Sequence, residues 1–202
     1  MTFNKLSSFL LVLIVCTSCS KRKNCPDLIN KGVDLVAEKK FDEAIDRYSE
    51  AIKCNSKVQL AYYNRATAYL EIRNYSKALA DLNKIIELQT SVVYMIDSDF
   101  NPTDEGIGQV EYRDVVYLRA VVKANMDSLQ SSFSDFQNAI LNTYSDSSNC
   151  FLWQGTLLGR AGQNQKACQY FEKAKKSART VGGKDEAVKM IRTHCQQTYN
   201  SY

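Results

Sequence analysis

Histidine is nearly absent from this sequence. His194 is the only one in 202 residues, so histidine-ligated metal centres and histidine-dependent catalysis have almost nothing to work with. Proline is as scarce, with 2 in the chain, while 45% of residues are hydrophobic and 24% charged. That balance excludes collagen-like, low-complexity and disordered polymers and leaves a globular fold. The formal net charge of +4 falls short of the basic stripe expected for nucleic acid, so no nucleic-acid partner is expected. Also missing are a glycine-rich phosphate loop ending in Lys-Ser or Lys-Thr, a His-Glu-x-x-His motif and a pair of Cys-x-x-Cys motifs, the usual marks of nucleotide and zinc chemistry. His194 and Cys195 are adjacent, and neighbours on a helix point to different faces, which denies them a nucleophile–base contact. No catalytic residue, cofactor or metal is expected.

What is present begins with an address. Residues 1–18 hold one early cation, Lys5, an apolar run from Phe9 to Val15, and the small polar pair Thr17–Ser18 before Cys19, which is the anatomy of an export signal. The run is too short to span roughly 30 Å of hydrocarbon. Cys16-Thr17-Ser18-Cys19 resembles the lipoprotein box of bacteria, with Cys16 standing where Leu, Val or Ile is usual. The resemblance implies acylation of Cys19, palmitate among the chains, and a tether over residues 19–24. An ordinary signal peptide cut near Ser18 is the alternative. No Asp follows Cys19, which in such lipoproteins implies the outer membrane, facing the periplasm or the cell surface.

The remainder repeats. Gly32, Ala66, Ala120 and Gly155 form a column spaced 34, 54 and 35 residues apart. Twelve residues on stand Ala44, Ala78, Ser132 and Ala167; seven further, Ala51, Ile85, Ala139 and Ala174. Small residues of this kind suit close helix crossings. Large apolar residues sixteen beyond the first column, Tyr48, Leu82, Phe136 and Phe171, fill the gaps between them. Apolar residues recur at three and four, the helical period. Helix pairs are expected at 27–38 and 41–54, 59–72 and 75–88, 112–126 and 129–141, and 148–160 and 164–179. A ninth helix over 184–198 is expected to cap the stack, because a lone hairpin cannot bury both faces and its neighbours must stack into a solenoid.

Period, small-residue columns and the aromatic column resemble tetratricopeptide repeats, and Phe41-Asp42-Glu43-Ala44-Ile45 and Tyr75-Ser76-Lys77-Ala78-Leu79 resemble the opening of that family's second helix. The sequence departs at Lys123, where an aromatic is common. The fold expected is an all-α, right-handed α-solenoid of about four hairpins plus the cap. Its repeats are placed at 25–58, 59–90, 113–147 and 148–181 within a domain of 25–202, with an acidic insertion at 91–112.

That insertion carries Asp97, Asp99, Asp104, Glu105 and Glu111 and no Lys or Arg. Its Asp97-Ser98-Asp99-Phe100-Asn101 run imitates a calcium loop, but Pro102 replaces the turning Gly and Gly108 the bidentate Glu. A solvated loop with a short hairpin of 92–96 against 109–112 is the plain expectation; a latch for a partner is the other. Among the cysteines, Cys25 and Cys54 are equidistant from the turn at Lys39–Lys40, and Cys168 and Cys195 from Val181–Gly182. Both pairs are candidate disulfides, alternatives being buried thiols, and Cys150 falls outside them.

In the family resembled, the first helix of each unit lines a concave groove. The corresponding residues are Ile29, Asn30 and Val33; Tyr63, Asn64, Thr67 and Leu70; Tyr117, Val121 and Asn125; and Leu152, Trp153, Thr156 and Arg160. Rigid aromatics with short polar side chains suit an extended peptide or a partner helix, and half of the aromatics are expected to be exposed. Of the Lys, Asn and Arg with which some members grip a peptide's carboxylates, only Asn64 is matched. The resulting expectation is a lipid-anchored envelope protein, non-catalytic, binding another envelope protein or a peptide segment of one. The alternative is a glycan binder stacking saccharides on Tyr63, Tyr117 and Trp153.

Overall fold

A computed structural model describes residues 25–94, 109–142 and 147–199, with side chains described except at 91–94 and 196–199. The signal segment, Cys19, the tether and the calcium-like Asp97–Asn101 run lie outside these residues. Nine helices occupy the described chain: α1 (Cys25–Ala37), α2 (Phe41–Cys54), α3 (Gln59–Glu71), α4 (Tyr75–Tyr94), α5 (Tyr112–Asn125), α6 (Leu129–Leu141), α7 (Ser148–Arg160), α8 (Asn164–Ser177) and α9 (Val181–Tyr199). Among these residues there is no strand. Each odd helix packs on the even helix that follows it, each even helix on the next odd one, and α1, α3, α5 and α7 touch in succession. The result is an all-α stack of four hairpins closed by α9.

The crossing columns are all buried, as are Tyr48, Leu82, Phe136 and Phe171. In the first and last hairpins the aromatic fills the space a methyl would need. A Cβ on Gly32 would lie 2.3 Å from Tyr48 Cε1, and one on Gly155 2.4 Å from Phe171 Cε1. Leu82 leaves room for Ala66, and Phe136 tilts its ring onto Trp153 and Tyr117. Ser132, the hydroxyl in an alanine column, donates to the Ala120 carbonyl at 2.8 Å, so its polar atom is not left bare in the core.

The turn inside every hairpin is the same. Lys39, Arg73, Asp127 and Gly162 have φ of 60°, 58°, 56° and 73°, and the next residue donates to a carbonyl five back: Lys40 to Leu35, Asn74 to Tyr69, Ser128 to Lys123 and Gln163 to Leu158. This is the six-to-one closure of a helix end, with a left-handed residue after the helix.

Two ion pairs also repeat. Arg65 donates from Nε and Nη2 to Asp81 at 2.8 and 2.7 Å, and Arg119 does the same to Asp135 at 2.8 and 2.7 Å. Each arginine reaches back to the preceding hairpin through Nη1, to Ser49 Oγ and Asn83 Oδ1. Lys123, at the register where an aromatic is common in the repeats that the sequence resembles, adds a second cation to Asp135 at 2.7 Å. Tyr69 occupies that register in the second hairpin and lies beneath Arg65.

Two expectations need correcting, and the cysteine pairs stand as expected. Helix α4 continues to Tyr94, so residues 92–94 are helical, and 109–111 have no regular structure; the hairpin of 92–96 with 109–112 is not formed. Instead Val110 is tied to α3 and α4: its carbonyl accepts from Gln89 Nε2 at 2.6 Å and its N–H donates to Gln59 Oε1 at 3.3 Å. The cap helix begins at Val181, ahead of the expected 184, because Thr180 Oγ1 accepts from the Gly183 N–H at 3.1 Å and caps a first turn that holds two glycines. Both cysteine pairs are bridged, Cys25 to Cys54 with Cα atoms 5.9 Å apart and Cys168 to Cys195 with 5.8 Å. Cys150 is a buried thiol.

Candidate functional site

The odd helices touch one another in sequence, so their outward residues share one flank. On α3, Tyr63, Asn64 and Thr67 are half-buried; on α5, Tyr117 and Val121 are half-buried and Asn125 is exposed; on α7, Trp153 and Thr156 are half-buried and Arg160 is exposed. On α1, Asn30 and Val33 are exposed, whereas Ile29 is buried among Ala44, Ile45 and Tyr48. Ile29 therefore belongs to the core and not to the groove. Leu70 and Leu152 also pack into clusters.

The aromatics are less open than expected, since none of the three is exposed. The Trp153 ring stacks on Phe136 with centroids 5.9 Å apart, and its indole N–H bonds the Tyr117 oxygen. Tyr117 meets Phe136 edge-on at 5.7 Å. Burial pushes the Tyr117 hydroxyl above its ordinary pKa, with the neighbouring Cys150 adding to it and the Trp153 bond opposing. Tyr63 is pushed the same way by burial, then by the charge of Asp114 and by Tyr117. Both phenols are therefore neutral donors at physiological pH. Asp114 lies one helical turn before Tyr117 on α5, with Arg113 Nε 3.5 Å from its carboxylate.

The short polar side chains are partly engaged at home. Thr67 donates to the Tyr63 carbonyl, Asn125 to that of Val121 and Thr156 to that of Leu152, at 3.1, 2.8 and 2.9 Å. Arg160 donates to the Ala124 carbonyl at 3.0 Å and pairs with Asp127, binding the end of α7 to the preceding hairpin's turn. This flank can offer hydroxyls, the amides of Asn30, Asn64 and Asn125, and half-exposed ring edges. Among the described residues no group of His, Cys, Asp or Glu is placed to hold a metal ion, and no helix is long and apolar enough to cross a membrane.

Sequence reasoning did not single out the Arg65–Asp81 and Arg119–Asp135 pairs. The signal was available, because both arginines and both aspartates share the register of the second and third units. It also missed a cleft of about 290 Å³ between α7, α8 and α9, which shares only Thr156 and Arg160 with the expected groove.

Family models for the tetratricopeptide repeat match residues 60–91 and 149–179. Among curated proteins, the chain is similar to dynein axonemal assembly factor 4 of Rattus norvegicus, 40% identical over 73 residues, which is 36% of this chain and 17% of that protein. It is also similar to the Hsp70-Hsp90 organising protein of Plasmodium falciparum, 43% identical over 49 residues, 24% of this chain and 9% of the other. The chain thus spans less than a fifth of these relatives. Among solved structures, YrrB, described as a tetratricopeptide-repeat protein with an unusual peptide-binding site, aligns with TM-score 0.61 at 18% identity over 90% of this chain and 80% of its own. MamA from Desulfovibrio magneticus RS-1 aligns with TM-score 0.61 at 16% identity, over 78% and 76%. The first such domain of RPAP3, solved with an HSP90 peptide, aligns with TM-score 0.54 at 18% identity over 68% and 93%. At these identities the structures establish the shared solenoid fold.

Proposed function

We propose that this protein is a non-catalytic adaptor, exported and lipid-anchored through Cys19 in a bacterial envelope, that binds a segment of another envelope protein along the flank of α1, α3, α5 and α7. The observation that carries the binding role is the row from Tyr63 through Tyr117 to Trp153, on the odd helices α3, α5 and α7 that touch in turn, with Asn64, Thr67, Val121, Asn125, Thr156 and Arg160 around it. Held rings offer contact area at little entropic cost. A peptide-bound domain among the structural neighbours supports the same use of the fold.

A carboxylate-gripping role is disfavoured, because Ile29 is core and Asp114 brings negative charge beside Tyr63. The saccharide reading is not favoured either: Trp153 already uses its ring on Phe136 and Tyr117 meets the same ring, leaving little free aromatic face. Two bridges, Cys25–Cys54 and Cys168–Cys195, suit an oxidising compartment, which supports export. The absence of Asp after Cys19 favours the outer membrane.

Palmitate labelling tests the anchor: label on the parent and none on Cys19→Ala is expected, and a labelled variant defeats it. A photoreactive residue at Asn64 or Val121 tests the flank. One discrete crosslinked partner at these positions, absent with the same probe at exposed Lys53, is the expected result; identical patterns from all three remove the groove from consideration.

A further inference from the structure

The flank of odd helices carries little charge, and what it carries is of one sign once the paired groups are set aside. Arg160 is the one charged side chain among the groove residues read from the sequence, and it is spent on the Ala124 carbonyl and on Asp127. Two acids share the same faces. Glu71 stands four residues beyond Thr67 on α3, one helical turn along, and is exposed. Asp114 stands one turn before Tyr117 on α5 and is half-buried.

Among the described residues Asp114 meets one cation, its neighbour Arg113, with Nε 3.5 Å away and the two side chains 37% and 50% exposed. Asp81 and Asp135 show how a committed carboxylate looks in this fold: each takes two arginine nitrogens at 2.8 and 2.7 Å and is 8% or 5% exposed. A single longer contact between exposed neighbours is worth little and yields to a better-placed cation. Tyr63 packs into the cluster that holds Val115 and Leu118, so its ring lies against the first turns of α5, where Asp114 and Tyr117 stand. Its hydroxyl is held above its ordinary pKa by burial and then by the charge of Asp114, with Tyr117 adding to both. The carboxylate's field therefore reaches into the flank. Phenol oxygens accept from a cation and ring faces attract one.

We propose that the flank between α3 and α5 selects a cationic peptide segment. A Lys or Arg side chain of the segment seats against Tyr63 and Tyr117 and pairs with Asp114, while Glu71, at the far end of α3, attracts a second cation. The proposal rests on the adaptor reading above and adds to it the charge of the bound segment.

Fluorescence polarisation on the full chain tests this with three labelled decapeptides that alternate alanine with lysine, glutamine or glutamate. The formal net charge of +4 by itself favours the glutamate peptide, so attraction by the whole molecule predicts the order opposite to that of the site. The lysine peptide should bind about tenfold more tightly than the glutamine peptide, the scale of one charge-assisted hydrogen bond, and the glutamate peptide most weakly. Asp114→Asn should bring the lysine-to-glutamine ratio close to one while retaining the fold. Glu71→Gln should lower it about twofold, as for an exposed pair, and Asp185→Asn, at an exposed acid on α9, should leave it unchanged. Arg113→Gln reads the same carboxylate from the other side, should asparagine disturb the start of α5: freeing Asp114 should raise the ratio. Equal binding of the lysine and glutamine peptides, or a preference for glutamate, overturns the proposal. So does a lysine preference that neither Asp114→Asn nor Arg113→Gln alters, or that Asp185→Asn lowers as much as Asp114→Asn. The crosslink at Val121 separates this outcome from failure of the adaptor reading. A discrete crosslinked partner without lysine preference rejects the cation and leaves the flank standing; neither partner nor preference rejects both.

Discussion

Arg119 grips Asp135 through two nitrogens, at 2.8 and 2.7 Å, with the carboxylate side chain only 5% exposed. Lys123 shares the same carboxylate at 2.7 Å. Two cations converge on one acid between α5 and α6, so removing the acid leaves both without their partner. Asp135→Ala should destabilise the fold by about 3–5 kcal/mol, the usual result when one member of a buried pair is lost. Urea unfolding measures it. A loss below about 1 kcal/mol, the scale of exposed pairs, would mean that water solvates the site.

Gly32 and Tyr48 form a tighter test of packing. With Tyr48 Cε1 2.3 Å from where a Cβ would stand, Gly32→Ala should cost about 1–3 kcal/mol as overpacking. The second hairpin supplies the cure, since it pairs Ala66 with Leu82 at the same register. Adding Tyr48→Leu to Gly32→Ala should therefore recover part of the loss in a thermal melt. An additive double variant would show that the two positions do not meet.

The bridges predict a thiol count. When residues 25–202 are unfolded without reductant, one of the five cysteines, Cys150, should react with a thiol reagent, and all five after reduction. Each bridge closes a separation of 29 or 27 residues, for which chain entropy gives about 3–4 kcal/mol. Cys168→Ser with Cys195→Ser should chiefly loosen α9, read as faster hydrogen exchange there than in α1–α4.

Tyr48 ties stability to alkaline pH. Burial raises its hydroxyl from 10.0 to about 12, and the side chain is only 1% exposed. The folded state holds this proton more tightly than the unfolded chain, so the stabilisation is complete below pH 10 and is lost as pH rises toward 12. The limiting slope is about 1.4 kcal/mol per pH unit for one group. The melting temperature should fall between pH 9.5 and 11, and Tyr48→Phe should flatten part of that fall; Tyr63, Tyr69 and Tyr117, raised in the same direction, carry the rest. Superimposable pH profiles for parent and variant would remove Tyr48 from the account.

Much of the fold was legible because it is periodic. The columns headed by Gly32 and Ala44 mark helix crossings that burial then confirms, and equidistance from a turn marks as candidates the two cysteine pairs that the structure bridges. The turns were legible only in outline. Lys39, Arg73 and Asp127 take a left-handed φ that favours glycine, and only Gly162 advertises it. The cap helix is expected from 184, yet Thr180 caps a helix that already begins at Val181. The candidate groove was the least legible part. Helical register tells which residues face the flank, but not that Ile29 is core or that Trp153 is turned onto Phe136.

The sequence by itself determined the helices, their pairing and their order, because each depends on residues within about one repeat of each other. Tertiary structure alone decided which rings remain open, where Arg160 is spent, and that a cleft lies beside Gly159. Those features arise where three helices meet. There the outcome depends on how side-chain volumes fill the shared space, and no single-chain pattern encodes that sum.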